Sequence, residues 1–384
     1  MGFSFNTVPS IISAPGAVAR LGEIAKARLG ARVLVVTDPG LVKLGVLARG
    51  LEALQTAGVA YAVFDQVEAD PPDHCILAAT KAATDFGATG IIGFGGGSSL
   101  DVAKLVALLA CTPQALTEAY GVGRARGPRL PLVLVPTTAG TGSEATAVAV
   151  VTTGAAEKMG VVSPLIIPDV ALLDPELTLG LPPAVTAATG LDAMVHAIEA
   201  FTSINPNNSP VSKALAREAL ALLGANIRKA VTQGSDLAAR EAMLNGSLLA
   251  GMAFANASVG AVHALAYPLG GHYHLPHGLT NALVLPQVLR FNAPACAPAY
   301  AELAPILFAD APAGGVEARA DFFVRALAGL CVDLGIPPRL RDAGVPQEAL
   351  PMLARDAMNQ TRLLVNNPRP VSEADALAIY EQAF

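Results

Sequence analysis

Histidine is unevenly distributed along this chain of 384 residues. Four of its six histidines fall within fifteen residues, inside a segment from 242 to 289 that contains no Asp, Glu, Lys or Arg: His263, His272, His274 and His277. Imidazole is the usual metal ligand and proton carrier near neutral pH, so several imidazoles in an uncharged segment indicate a site rather than a solvated surface.

A fifth histidine follows an acid at helical spacing. In Gly190-Leu191-Asp192-Ala193-Met194-Val195-His196, the carboxylate and the imidazole lie on one face of a predicted helix, one turn apart. Three histidines and one aspartate would make a divalent-metal site with nitrogen and oxygen ligands. A single buried histidine is more often a hydrogen-bonded core residue, so the metal-site interpretation depends on the combination.

A glycine run indicates an anion site. Gly95-Gly96-Gly97-Ser98-Ser99-Leu100-Asp101 directly follows a predicted strand and opens a predicted helix. Glycines let the backbone approach an anion, and the exposed N–H groups and helix dipole can then hold a diphosphate. The run is neither G-x-G-x-x-G nor a P-loop, since no Gly-Lys-Ser/Thr follows. The alternative is a tight turn between strand and helix.

A second loop of small residues follows the predicted strand Leu132–Val135. It offers hydroxyl groups at Thr137, Thr138, Thr141 and Ser143. Two such loops at adjacent strand ends favour a nucleotide site over two simple turns. Asp38 ends an earlier predicted strand and could accept hydrogen bonds from a ribose diol, or could simply begin the turn Asp38-Pro39-Gly40.

Composition limits the class of protein and its partners. The chain is 53% hydrophobic and only 15% charged, and its length favours two domains. Polar residues and glycines interrupt the uncharged segment, and no Lys/Arg cluster flanks it, so buried helices or a subunit interface explain it better than a membrane span. With a net charge of −6 and no basic stripe, we expect neither a nucleic acid nor a membrane partner.

The two parts of the chain have different patterns. Before about residue 180, short buried strands alternate with amphipathic helices. The predicted strands are Arg32–Thr37, Val59–Phe64, Thr89–Phe94 and Leu132–Val135, and the predicted helices are Cys75–Phe86 and Leu100–Ala110. After Leu181-Pro182-Pro183 only helices are predicted: Ala184–Thr202, Ser209–Leu223, Leu237–Asn256, Gly260–Leu269, Val316–Leu334 and Ser372–Phe384.

These patterns predict an α/β dinucleotide-binding domain with a mostly parallel sheet over 1–180. An all-helical metal-binding and substrate domain is expected over 181–384. The first residues, from Met1 to Asn6, lack the basic region and apolar run of a secretory signal. The four cysteines form no C-x-x-C pair, which together with the missing signal favours a cytoplasmic protein.

The whole chain resembles the iron-containing (group III) alcohol dehydrogenases, which are related in fold to glycerol dehydrogenase and dehydroquinate synthase. The resemblance extends from Gly16 to Asn366-Asn367-Pro368-Arg369-Pro370. The segments that carry it are Gly95–Lys104, Pro136–Thr146, Gly190–Ala200 and His263–Gly278.

This resemblance implies NAD and a divalent metal, usually Fe(II) and sometimes Zn(II), as cofactors. It implies that Asp192, His196, His263 and His277 are the metal ligands. It also implies a dinucleotide site made by Asp38, Asp70, Gly95, Gly96, Gly97, Ser98, Ser99, Asp101, Thr137, Thr138, Thr141, Ser143 and Lys158. Lys158 matches a family lysine near the nicotinamide ribose, and Asp38 matches an acid that favours NAD over NADP.

The chain departs from the family pattern at Tyr267, where many members have a histidine proposed to relay a proton. His272 and His274 could replace that histidine, or could merely line the site. Of the two, His272 is favoured, because the stretch between His263 and His277 must fold back over the metal and could aim it inward.

We therefore expect an NAD-linked, metal-dependent alcohol dehydrogenase that interconverts an alcohol with its aldehyde or ketone by hydride transfer. One alternative is a maleylacetate reductase-type enzyme without metal, which the retained Asp192 disfavours. Another is a dehydroquinate synthase-like lyase, disfavoured by the lack of Lys and Arg in 242–289. The segment Phe3–Val8 has strand character and could pair with a second copy, so a homodimer or a multiple of dimers is expected.

Overall fold

The structure, a computed structural model, describes residues 2–154 and 157–384. Met1, at which the expected first domain begins, lies outside the described residues. The chain divides into two compact units. One comprises Asn6–Gly180, and the other comprises Leu181–Phe384 with the first residues up to Phe5.

The unit Asn6–Gly180 is built on a parallel sheet. Six of the described strands form it in the order β1-β9-β6-β4-β2-β3, and every neighbouring pair is parallel. Their bounds are β1 Ile11–Ser13, β2 Arg32–Val36, β3 Ala60–Phe64, β4 Gly90–Gly95, β6 Leu132–Pro136 and β9 Val170–Leu173. A smaller sheet, in the order β5-β8-β7, contains β5 Gly121–Val122, β7 Val148–Thr153 and β8 Glu157–Val162.

Helices cover both faces of the larger sheet. Successive side chains of a strand point to opposite faces, so Val33 and Val35 join one buried cluster while Leu34 and Val36 join another. The α-helices of this unit are α1 Leu21–Arg28, α2 Pro39–Lys43, α3 Ala48–Thr56, α4 Asp73–Phe86, α5 Gly97–Leu109 and α6 Leu116–Ala119. The first cluster includes residues of α1 and α3, and the second includes residues of α4 and α5. Burial on both faces explains why β2 and β4 are continuous apolar runs.

The second unit consists of helices and their connections, with no strand among its described residues. Its α-helices are α7 Pro183–Thr202, α8 Pro210–Thr232, α9 Leu237–Ala257, α10 Ala261–Tyr273, α11 His277–Leu307, α12 Val316–Asp333, α13 Leu350–Ala357, α14 Thr361–Leu364 and α15 Glu373–Ala383. The predicted fold class, a mostly parallel α/β domain followed by an all-helical domain, is confirmed. Among the described residues no single helix is long and apolar enough to cross a membrane; α9 and α10 meet that requirement only as a pair bent by 106°.

Helix α11 and the N-terminal segment are among the elements that differ from the sequence prediction. Helix α11 continues for 31 residues through Pro286, Pro294, Pro298 and Pro305, whereas the sequence prediction ended helical structure at Leu269 and resumed it only at Val316. The segment Phe3–Val8, predicted to be strand-like, has no regular secondary structure within this chain. Ser4 is instead fixed by the side chain of Asn207, whose amide exchanges two hydrogen bonds of 2.8 Å with the Ser4 backbone.

Candidate metal centre and cofactor loops

Four side chains from three helices of the helical unit converge. Asp192 and His196 lie one turn apart on α7, His263 lies near the start of α10, and His277 is the first residue of α11. One ligand atom from each lies within 4.8 Å of every other. The Nε2 atoms of His196, His263 and His277 are 4.0, 3.8 and 3.7 Å from Asp192 Oδ1.

Close helix packing makes this convergence possible. Gly278, next to His277, lies against the backbone of α7, and a Cβ on it would come within 2.3 Å of the Ala188 carbonyl oxygen. Only glycine can occupy that position without moving one of the helices. The start of α11 therefore approaches α7 closely enough to bring His277 beside Asp192.

The carboxylate of Asp192 is buried yet ionised. Burial alone would raise its pKa, but the imidazoles of His196, His277 and His263 and the amide of Asn281 outweigh burial and bring the pKa below its ordinary value. Asn281 donates to Asp192 Oδ1 at 2.6 Å. Its Nδ2 atom is also 3.2 Å from the Nε2 atoms of both His263 and His277.

Sequence reasoning missed two polar residues of this cluster. Asn281 lies one turn after His277, and Glu199 lies one turn after His196. Glu199 Oε2 is 2.6 Å from His263 Nδ1. The helical spacing that selected Asp192 and His196 would also have selected Glu199, because all three project from one face of α7.

The cluster fits a divalent metal. Three imidazole nitrogens and one ionised carboxylate oxygen are the donor set typical of Fe(II) or Zn(II). The Oδ1 atom of Asn281 is buried with no hydrogen-bond partner in the described structure, which is a further sign that the cluster is built around a group other than its own side chains.

Aromatic rings surround the imidazoles. The ring of Phe254 stacks on His196 with centroids 4.3 Å apart, and His196 in turn stacks on His263 at 4.7 Å. The ring of Tyr267 lies 5.7 Å from that of His277 and 6.5 Å from that of His263. Tyr267 therefore adjoins the four-residue cluster.

The expectation that His272 points inward is wrong. His272 follows His263 by nine positions on α10, and at about 100° per residue the two side chains leave opposite faces of the helix. His272 is exposed and pairs with Asp356, with 2.6 Å between Nε2 and Oδ2. His274 is also exposed and ends α10 in the left-handed conformation, with φ of 53°. Neither imidazole is brought together with the cluster by hydrogen bonding or ring contact among the described residues.

The two predicted cofactor loops are neighbours in the α/β unit. The backbone N–H of Thr137 donates to the Gly95 carbonyl at 3.0 Å. A Cβ on Gly97 would lie 2.7 Å from Cγ2 of Thr141. Helix α5 begins directly after Gly96, which has no side chain to cap the first-turn N–H groups. The glycine backbone at the start of α5 thus lies against threonine side chains of the second loop, an arrangement that fits a diphosphate.

A buried lysine joins these loops. Lys104, on α5, is completely buried and donates to Ser143 Oγ at 2.7 Å, Thr146 Oγ1 at 2.9 Å and the Val148 carbonyl at 2.7 Å. Asp101 accepts from Ser143 Oγ at 2.6 Å. The side chains of Asp101 and Ser143 are therefore bonded to each other, and they hold the start of α5 against the second loop.

Other predicted cofactor residues lie at separate points of the α/β unit. Asp38 caps α2, because its Oδ1 accepts from the Leu41 N–H at 3.0 Å. Lys158 Nζ is 2.7 Å from Asp70 Oδ1 and 2.8 Å from Thr152 Oγ1. Asp70 has a positive φ of 53°, in the left-handed region that Asp tolerates better than most residues. The pairing of Asp70 with Lys158 was not foreseen from the sequence.

Known proteins resemble the chain along its full length. Residues 9–175 match the family model "Iron-containing alcohol dehydrogenase", and residues 186–384 match "Fe-containing alcohol dehydrogenase family, C-terminal". The chain belongs to the iron-containing alcohol dehydrogenase family. It is 42% identical to long-chain-alcohol dehydrogenase 1 of Geobacillus thermodenitrificans, over 93% of this chain and 91% of that protein.

Solved structures agree with this assignment. A crystal structure of 1,3-propanediol oxidoreductase has a TM-score of 0.96 and 38% identity, covering 100% of both chains. Sulfoacetaldehyde reductase from Bifidobacterium kashiwanohense, solved in complex with NAD⁺, has a TM-score of 0.87 and 30% identity, covering 100% of this chain and 99% of that one. The predicted activity is confirmed: the chain is a metal-dependent, NAD-linked alcohol dehydrogenase.

Proposed function

We propose that Asp192, His196, His263 and His277 hold the divalent metal, with Fe(II) as the resident ion. The observation that carries this proposal is the approach of one ligand atom from each residue to within 4.8 Å of all the others. When bound, the metal supplies a Lewis acid for the alcohol oxygen, and NAD supplies the hydride acceptor.

The residues of this chain bind and orient the reactants. The glycine loop, Gly95–Gly97 with Ser98 and Ser99, would hold the diphosphate of NAD, and Thr137, Thr138 and Thr141 would add hydroxyl donors. Asp101 and Ser143 would act by bracing the two loops. Asp38 would accept from the adenosine ribose, while Lys158, paired with Asp70, would lie near the nicotinamide ribose.

The substrate we propose is an uncharged primary or secondary alcohol. Phe254 and Tyr267 supply aromatic surface beside the imidazoles, and the segment 242–289 has no charged side chain other than histidine. Such a wall excludes water and strengthens polarisation of the alcohol oxygen. A sulfonate such as that of sulfoacetaldehyde would need a cationic partner, which this segment lacks.

The alcohol proton needs a route to solvent. We assign Tyr267 to the wall of the alcohol site, because its ring lies 5.7 Å from that of His277 and 6.5 Å from that of His263. The exposed positions of His272 and His274 favour a route through the cofactor ribose and water. His272→Gln should therefore leave the pH profile of kcat/KM unchanged, and loss of a near-neutral inflection in that variant would contradict this route.

We further propose a cytoplasmic homodimer, or a multiple of dimers. All four cysteines are free thiols, which is typical of proteins in the reducing cytoplasm and supports that compartment. Strand β1 is at the edge of the larger sheet and carries the exposed Ile11, which supports an association surface at this end of the sheet.

The activity is tested with Fe(II)- or Zn(II)-loaded protein, NAD and a panel containing propan-1-ol, propane-1,3-diol, longer primary alcohols and the anionic alcohol isethionate. We expect NADH production from the uncharged alcohols with kcat/KM at least about tenfold above that for isethionate, because a desolvated charge without a partner is costly. Faster oxidation of isethionate would contradict the proposed substrate class.

The ligand assignment is tested with His263→Ala. Removal of one ligand of four should lower bound metal per chain and reduce turnover by orders of magnitude, while the circular-dichroism spectrum stays that of the folded protein. Undiminished activity in a metal-free His263→Ala protein would show that the cluster is not the catalytic metal site.

A further inference from the structure

Glu199 directs both carboxylate oxygens at the start of α10. Oε2 is 2.6 Å from His263 Nδ1, and Oε1 accepts from the Val262 N–H at 2.7 Å. The side chain is 7% exposed, so neither bond competes with bulk water. The opposite ring nitrogen of His263, Nε2, faces Asp192 Oδ1 at 3.8 Å.

This arrangement determines which ring nitrogen can bind metal. A neutral imidazole has one N–H and one lone pair. The carboxylate of Glu199 accepts the proton of Nδ1, so the lone pair is on Nε2, the atom that faces Asp192. A buried carboxylate also makes the imidazole a stronger electron donor.

Glu199 is buried beside hydrogen-bonding groups, and no lysine or arginine lines the cavity next to it. The small cavity beside it is lined by uncharged residues, including Asn292, Tyr300, Asn366 and Asn367. Asn367 Oδ1 accepts from the Ala261 N–H at 3.3 Å and from Asn292 Nδ2 at 2.9 Å. These amides help to fix the start of α10, but the partner of His263 Nδ1 is Glu199.

We propose that Glu199 is a positioning residue for the metal: it fixes the tautomer and ring orientation of His263 so that Nε2 binds the ion. This inference rests on the proposed metal role of the four-residue cluster. The competing explanation is that Glu199 only stabilises the start of α10 through Val262. The two explanations differ in what they predict for metal affinity at constant fold.

The main test is Glu199→Gln, which keeps the shape of the side chain but replaces one acceptor oxygen with a donor. The Kd for Zn(II) is measured by competition with a chelator, and the Co(II) form is followed by its visible spectrum. We expect the Kd to rise about 10–100-fold and the Co(II) spectrum to change. NADH binding, followed by fluorescence, should match that of wild type, because the cofactor loops lie in the other unit.

Two control variants separate metal positioning from helix stability. Glu218→Gln makes the same chemical change at an exposed site on α8 and should bind Zn(II) like wild type. Asn367→Ala removes an acceptor from the start of α10 and leaves Glu199 and His263 paired. It should lower the Tm of the metal-free protein with less than a threefold effect on the Kd. Equal losses of affinity in Asn367→Ala and Glu199→Gln would overturn the proposal in favour of the helix-start explanation.

Failure of this inference is distinguishable from failure of the proposed function. Wild-type protein that binds one Zn(II) per chain, alongside Glu199→Gln with a Kd within about twofold, overturns the role of Glu199 alone. Wild-type protein that binds no Zn(II) overturns both. If Glu199→Gln does not fold, Glu199→Asp keeps the charge but withdraws it by one methylene, and wild-type affinity in that variant would equally contradict the proposal.

Discussion

At the scale of single residues, Asp38 has a structural role that is compatible with the recognition role proposed for it. One carboxylate oxygen caps α2 through the Leu41 N–H. A carboxylate has acceptor capacity beyond one bond, so the cap leaves room for hydrogen bonds from a ribose diol. The turn and the cofactor interpretations of this residue are therefore compatible, and the negative charge is what would discriminate against a 2′-phosphate.

Asp38→Gly should relax the preference for NAD over NADP. We expect the ratio of kcat/KM values for the two cofactors to fall by at least about tenfold, since like-charge contact costs more than the 1.4 kcal/mol that a factor of ten represents. Asp38→Asn is the matched control for the cap, because Asn also caps helices but has no charge. Both variants should therefore relax the preference, whereas only Asp38→Gly should weaken the cap. Equal use of NADP by wild type would show that Asp38 does not select the cofactor.

The site residues differ in how far the sequence could predict them. Asp192 and His196 were predictable because one helix places them on one face, and the same spacing includes Glu199. The outward orientation of His272 was not predictable without the bounds of α10, which continue to Tyr273 rather than Leu269. Asn281 was missed because a single asparagine in an apolar run does not by itself indicate a functional site. It reaches Asp192 only because α11 packs closely against α7.

At the scale of elements, buried charges hold the two cofactor loops together. Lys104 is enclosed by oxygens of Ser143, Thr146 and Val148, and burial lowers its pKa against the opposing effects of Asp101 and Glu144. Glu144 is itself buried, and one of its oxygens has no hydrogen-bond partner in the described structure. Burial raises the pKa of Glu144 to about 7, although its own backbone N–H and Lys104 act in the opposite direction.

The raised pKa of Glu144 has a consequence for stability. The folded protein binds this proton more tightly than the unfolded chain, whose glutamate has a pKa of about 4.3, so the stabilisation is complete below that pH and is lost as the pH rises through about 7. Glutamine cannot ionise. The Tm of Glu144→Gln relative to wild type should therefore increase between pH 4 and pH 7 and level off above. Glu52→Gln, at an exposed position on α3, should show no such trend, and a pH-independent difference for Glu144→Gln would contradict the buried-carboxyl explanation.

The predictability of the elements follows their length and patterning. Strands β2, β3, β4 and β6 were predicted because they are apolar runs between clear breakers. Strands β1 and β9 have only three and four residues, too few to show a period. Helix α11 was missed because proline normally ends a helix, yet its four prolines are accommodated in an element whose packing against α7 and α12 outweighs the lost backbone bonds.

At the scale of the whole molecule, the apolar composition is accommodated by extensive burial within each of the two units. The mean hydropathy of +0.49 is high, but the apolar residues of α5, of α7 from Gly190 to Phe201 and of the start of α10 are almost entirely buried. The uncharged segment 242–289 is thus explained by helices packed within one unit. The exposed apolar residues that remain include Phe3 and Ile11, at 47% and 41% exposure, near the N-terminus.

The proposed homodimer is tested through this N-terminal stretch. Thr7 and Val8 belong to no strand of the described structure and lie close in sequence to the edge strand β1, so their backbone can form a ladder with a second copy. Light scattering of wild type at micromolar concentration should give the mass of a dimer or a multiple of one. Thr7→Pro removes a backbone donor from that ladder and should shift the mass towards the monomer, whereas Thr7→Ala, which keeps the donor, should not. A monomeric wild type would refute the dimer, and a dimer unaffected by Thr7→Pro would place its interface elsewhere, because a strand ladder cannot tolerate proline at a bonded position.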